Sequence, residues 1–120
     1  MLKKILIVED EQLIGLMLAE EVRRLGCEVT AVVTTGQAAI RSAQRNPPDA
    51  VLMDVSLAGV LDGIETARII KGKRNIPILF ITGHNDGSLL DRARAVRPAA
   101  IVDKLDSPEN IRAALSSLLC

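Results

Sequence analysis

The chain has 120 residues, with 15 Lys+Arg against 15 Asp+Glu and a formal net charge of zero. At roughly 100–200 residues per domain that is one domain, which excludes a two-domain enzyme, and a hydrophobic content of 48% fills one real core. Zero net charge gives no general basic surface for nucleic acid, and Phe80 as the sole aromatic residue excludes stacking platforms for bases or flavins.

Short branched-aliphatic runs alternate with longer amphipathic stretches. Ile5 to Val8 reads as a continuous apolar strand. Gln12 to Leu25 follows as a helix, with Leu13, Leu16, Met17, Val22 and Leu25 at helical spacing, Glu20 and Glu21 outward, and Gly26 as its stop. Val29 to Val33 is a second strand. Thr34 or Thr35 is placed to cap a helix over Gly36 to Arg45, whose Ala38, Ala39, Ile40 and Ala43 suit close packing on a sheet. Pro47-Pro48 separates it from a third strand, Ala50 to Asp54, apolar until its carboxyl end. Gly63 to Ile70 reads as helix, Ile76 to Ile81 as strand, Asp86 or Ser88 to Val96 as helix, and Ile101 to Asp103 as a short strand. The last helix runs from Pro108 to Leu119, with Ser107 as N-cap and Pro108 at the first helical position, where its missing N–H has no intrahelical use.

Strands without hydrophobic/polar alternation need cover on both faces, and the intervening helices supply right-handed crossovers. The expected architecture is an α/β, three-layer, doubly wound five-stranded parallel sheet occupying residues 1–120 as one domain. The N-terminal apolar run is too short for a signal peptide or membrane span. Cys27 and Cys120 form no metal or disulfide spacing, so a cytoplasmic protein without a membrane partner is expected.

In such a sheet ligands gather outside the carboxyl ends of the strands. Glu9, Asp10 and Glu11 stand after the first strand, Asp54 ends the third, Thr82 follows the fourth, and Asp103 and Lys104 end the fifth. With the first, third and fourth strands as neighbours, these carboxylates share one pocket with a hydroxyl and an ammonium. Oxygen ligands of this kind suit Mg2+. Asp54, held at the end of an apolar strand, has the rigidity of a nucleophile toward a phosphoryl donor. Glu9 and Asp10 are candidates for binding the cation, Glu9 with an extra methylene that suits contact through water, and the Ser56 carbonyl is a further ligand. Lys104 offers a point charge and Thr82 a short hydroxyl donor to phosphoryl oxygens. Glu11 is expected in solvent at the helix start. His84 is expected at the pocket rim.

With these residues in place the chain resembles the response-regulator receiver family over its whole length. The resemblance rests on ILIVEDE near the start, VLMD with Asp54, the GxxDG loop from Gly59 to Gly63, ITG with Thr82, and DK with Lys104. It implies a flavodoxin-like sheet in strand order 2-1-3-4-5. It further implies Mg2+ bound by the first acidic pair and Asp54, phosphate received by Asp54 from a histidine kinase or phosphotransfer protein, and readout by Thr82 and Lys104. Histidine kinases dock in this family on the start of the first helix, here Leu13 through Met17. The output is a downstream protein target or a separate output domain, and a homodimer through the fourth-helix to fifth-helix face is left open.

Two departures bear on the output. Leu105 follows Lys104 where the family has a cis proline, and a cis non-proline bond costs about 2.5–4 kcal/mol. Ile101 stands where the family carries Tyr or Phe, so signalling through an aromatic rotamer is expected to be absent or muted. They motivate an alternative, a phosphorylation-independent interaction domain with the same fold. A haloacid-type phosphatase is disfavoured because Asp54-Val55-Ser56-Leu57 lacks the second aspartate of its motif.

Overall fold

The computed structural model describes residues 2–83, 87–103 and 107–119. Its elements in chain order are β1 (Lys4–Val8), α1 (Gln12–Arg24), β2 (Glu28–Val33), α2 (Gly36–Arg45), β3 (Ala50–Asp54), α3 (Gly63–Lys73), β4 (Ile78–Thr82), α4 (Gly87–Ala95), β5 (Ala100–Asp103) and α5 (Pro108–Leu119). The five strands form one parallel sheet in the order β2-β1-β3-β4-β5. This is the doubly wound order expected from the resemblance.

Alternate side chains of the central strands feed two separate cores, as period-2 geometry requires. Leu6, Val8, Val51, Met53, Ile78 and Phe80 pack on the face covered by α2, α3 and α4, with Ala39, Ala43, Ile64, Ala67, Ile70 and Ala93. Ile5, Ile7, Leu52, Leu79, Ile81 and Val102 pack on the opposite face, against Leu18, Ala19 and Val22 of α1 and Ile111 and Leu115 of α5. Both faces are therefore covered, which is why β3 and β4 are buried at every position. The caps read from the sequence are present. Thr35 accepts the Ala38 N–H at 3.2 Å, and Ser107 accepts the Asn110 N–H at 3.2 Å.

The first helix departs from expectation. Leu18, Ala19 and Val22 face the core, whereas Leu13 and Leu16 are 82% and 63% exposed. Glu21 does not point outward: it is buried, and its carboxylate accepts the Arg112 guanidinium N–H of α5 at 2.6 Å. Arg112 is thereby tied to α1, its side chain only one-third exposed. α3 runs three residues beyond Ile70, and β4 begins at Ile78 instead of Ile76. No helix among the described residues is long and apolar enough to cross a membrane.

Candidate metal and phosphoacceptor site

The register of the sheet brings three strand ends to one rim. Val8 pairs with Met53, Asp54 with Ile81, and Thr82 with Asp103. Glu9 leaves β1 with its backbone N–H donated to the Val33 carbonyl at 3.0 Å, which holds it against β2, and it is 1% exposed. Asp54 is 2% exposed. The chain just beyond it stays on β4, because the Val55 N–H donates to the Ile81 carbonyl at 3.0 Å. Thr82, one residue further along β4, is also buried.

Glu9, Asp10 and Asp54 each offer a carboxylate oxygen, and these atoms lie within 4.8 Å of one another. Like charges at that spacing repel by roughly 3 kcal/mol per pair at an effective dielectric near 20. Backbone donors hold part of the set. Asp54 Oδ1 accepts the Ser56 N–H at 3.0 Å, and Asp10 Oδ2 accepts the Ala58 N–H at 3.2 Å, so the loop between β3 and α3 is tied to both carboxylates. The all-oxygen donor set, two of its members almost fully buried, fits a small hard dication such as Mg2+.

The start of α3 is fitted to the same strand end. Asp62 caps α3 by accepting the Glu65 N–H at 2.8 Å, and Gly63 then lies directly on the Asp54 backbone. A Cβ at Gly63 would overlap the Asp54 carbonyl oxygen, so only glycine permits this approach. The Gly59 to Gly63 motif carried that signal in the sequence. Gly59, at φ +109°, turns the loop where other residues are strained.

Of the residues read from the sequence, Glu9, Asp10 and Asp54 are clustered, Thr82 is at the adjoining strand end, and Ser56 follows Asp54 with its backbone engaged. Glu11 is exposed at the N-cap of α1. Lys104, Leu105 and His84 lie outside the described residues. The sequence reading missed Arg92, which donates to Asp62 Oδ2 at 3.2 Å from α4. No local pattern signals a pair thirty residues apart.

The profile of the response regulator receiver domain family matches residues 5–116. The chain is 37% identical over 114 residues to the transcriptional regulatory protein PdtaR of Mycobacterium tuberculosis, covering 89% of this chain and 55% of that protein. It is 31% identical over 120 residues to the phyllosphere-induced regulator PhyR of Methylorubrum extorquens, covering 99% of this chain and 44% of the relative. The chain thus spans about half the length of these relatives. The signal receiver domain of a modulated diguanylate cyclase from Desulfovibrio desulfuricans superposes with a TM-score of 0.90 at 34% identity, covering 99% of this chain and 94% of that one.

Proposed function

The chain belongs to the response regulator receiver domain family, and from that premise we propose that it is a signalling switch phosphorylated on Asp54. The donor is a histidine kinase or a phosphotransfer protein, the reaction depends on Mg2+, and the product alters binding of a downstream protein or output domain. The observation that carries this reading is the grouping of Glu9 and Asp10 with Asp54 at the carboxyl end of a fully buried strand.

In this reading an Asp54 carboxylate oxygen attacks the phosphorus of a phosphohistidine. The new O–P bond forms as the N–P bond breaks, and the departing imidazole recovers a proton from solvent. Burial and the Ser56 N–H hold the carboxylate in one orientation, so little motion is needed at the moment of attack. When bound, Mg2+ offsets the charge shared by the carboxylates and the incoming phosphoryl oxygens. Glu9, Asp10, Asp54 and the Ser56 carbonyl are the proposed ligands. Thr82 donates its hydroxyl and Lys104 its ammonium to the phosphoryl oxygens, and the added charge is read through these two side chains.

The test is incubation of the purified chain with acetyl phosphate and Mg2+, read by intact mass and a phosphate-affinity gel. The expected result is a gain of one phosphoryl group, absent in Asp54→Asn and without Mg2+. A folded chain that gains none overturns the reading and favours the phosphorylation-independent interaction domain, for which Leu105 and Ile101 are the motivating residues.

A further inference from the structure

α4 has little hold on the core of its own. Ala93 is its one buried residue and Leu89 packs partly, whereas α3 buries Ile64, Thr66, Ala67 and Ile70. Two polar contacts from the α3 segment take up the difference. At the start of α3, Asp62 Oδ2 accepts the Arg92 guanidinium at 3.2 Å while Oδ1 caps α3. At its end, the Lys71 ammonium donates to the carbonyls of Val96 and Arg97 at 3.1 and 2.7 Å. These carbonyls lie just past the C-terminus of α4, where a cation is favoured by the helix dipole.

The turn that Lys71 grips is strained. Arg97 sits at φ 59°, a left-handed conformation uncommon for a residue with a side chain, and it precedes Pro98. Its N–H closes the turn on the Arg94 carbonyl at 2.9 Å. The other contact leads to the phosphoacceptor strand, because Asp62 adjoins Gly63 and Gly63 is packed on the Asp54 carbonyl.

We propose that Arg92 and Lys71 are positioning residues that hold α4 against α3 and so couple α4 to any change originating at Asp54. The restraint is a property of the ground state; only its regulatory use rests on the phosphoacceptor reading of Asp54. Ile101 provides no aromatic rotamer to carry that change, whereas Asp54, Gly63, Asp62 and Arg92 form a contiguous physical link from the site to α4.

Hydrogen exchange read by mass spectrometry on the full chain tests this, comparing peptides over 87–97 with peptides over 12–24. Wild type, Arg92→Gln, Arg92→Lys and Lys71→Met are each measured alone and with Mg2+ plus beryllofluoride, a non-covalent phosphoryl mimic. Arg92→Gln and Lys71→Met are expected to speed exchange over 87–97 roughly twofold to fivefold, the scale of an exposed polar contact, with 12–24 unchanged and Arg92→Lys closer to wild type. Unchanged exchange over 87–97 in both variants overturns the proposal, and so does an equal rise over 12–24, which marks a general loss of stability. Beryllofluoride should alter 87–97 in wild type and alter it less in the two variants. No beryllofluoride response in wild type counts against the phosphoacceptor reading, while the comparison without it still decides the restraint.

Discussion

Gly63 is packed on Asp54 so closely that the first atom of any side chain would fall on the Asp54 carbonyl. The contact fixes where α3 begins relative to β3. Gly63→Ala must therefore displace backbone rather than a flexible side chain, since the nearest atoms are Asp54 O and C and Val55 Cα. Overpacking costs about 1–3 kcal/mol, and a backbone clash belongs at the upper end. Gly72, late in the same helix, has nothing within 4 Å of a built Cβ. There Gly→Ala should stabilise by about 0.5 kcal/mol through the reduced entropy of the unfolded chain. Urea unfolding of the two variants should move the midpoint in opposite directions, and Gly63→Ala alone should slow modification of Asp54.

The three carboxylates within 4.8 Å predict how a cation changes stability. A ligand that binds only the folded chain stabilises it by about 2.7 kcal/mol at a hundredfold excess over its dissociation constant. Thermal unfolding should therefore shift upward with added Mg2+. Asp54→Asn removes one charge from a crowded set, so without Mg2+ it should be more stable than wild type, and its Mg2+ response should be smaller. Equal shifts in both proteins would place the cation elsewhere.

The strand ends were readable from the sequence because each aliphatic run stops at a polar residue, and Asp54 closes the third run without ambiguity. Thr35 and Ser107 were readable because N-capping is local. The inward face of α1 was not. Leu13, Leu16 and Met17 compete with Leu18, Ala19 and Val22, and a helix apolar on more than one side has no single face that periodicity can choose. Glu21 was misplaced for a related reason: its partner Arg112 lies 91 residues away, and only the packing of α1 beside α5 brings them together. Asp62 and Arg92 share that non-local character.

The Glu21–Arg112 contact predicts a stability difference between two ion pairs that each involve α1, one reaching across to α5 and one within the helix. Glu21 is buried and Arg112 is one-third exposed, so removing the guanidinium strands a carboxylate away from water. Hydrogen bonds to charged groups are worth about 1.5–3 kcal/mol, and Arg112→Ala should cost near the lower figure because solvent reaches the pair. Glu20 and Arg24, at 2.9 Å, are both well exposed. The hydrogen bond from Arg24 to Glu20 raises the guanidinium above its already high ordinary value, so Arg24 keeps its charge, but the exposed pair confers no measurable stability. Chemical denaturation should separate Arg112→Ala from wild type and leave Arg24→Ala superimposed on it.

Leu13, Leu16 and Met17 form an exposed apolar patch at the start of α1, one turn after the acidic cluster. Side chains this open contribute little to folding, so Leu13→Asp and Leu16→Asp should shift the unfolding midpoint by no more than about 0.5 kcal/mol. In the proposed switch the same patch receives the phosphodonor protein, and burying an apolar anchor there would be worth 1–2 kcal/mol or more in the encounter. A loss of about 1.4 kcal/mol is tenfold in affinity. Phosphotransfer from a histidine kinase that modifies the wild type should fall by about that factor in either variant. Modification by acetyl phosphate, which needs no docking surface, should proceed at the wild-type rate. If both donors slow together, the substitutions have disturbed Asp10 or Glu9 through α1, and the patch is not where the donor protein binds.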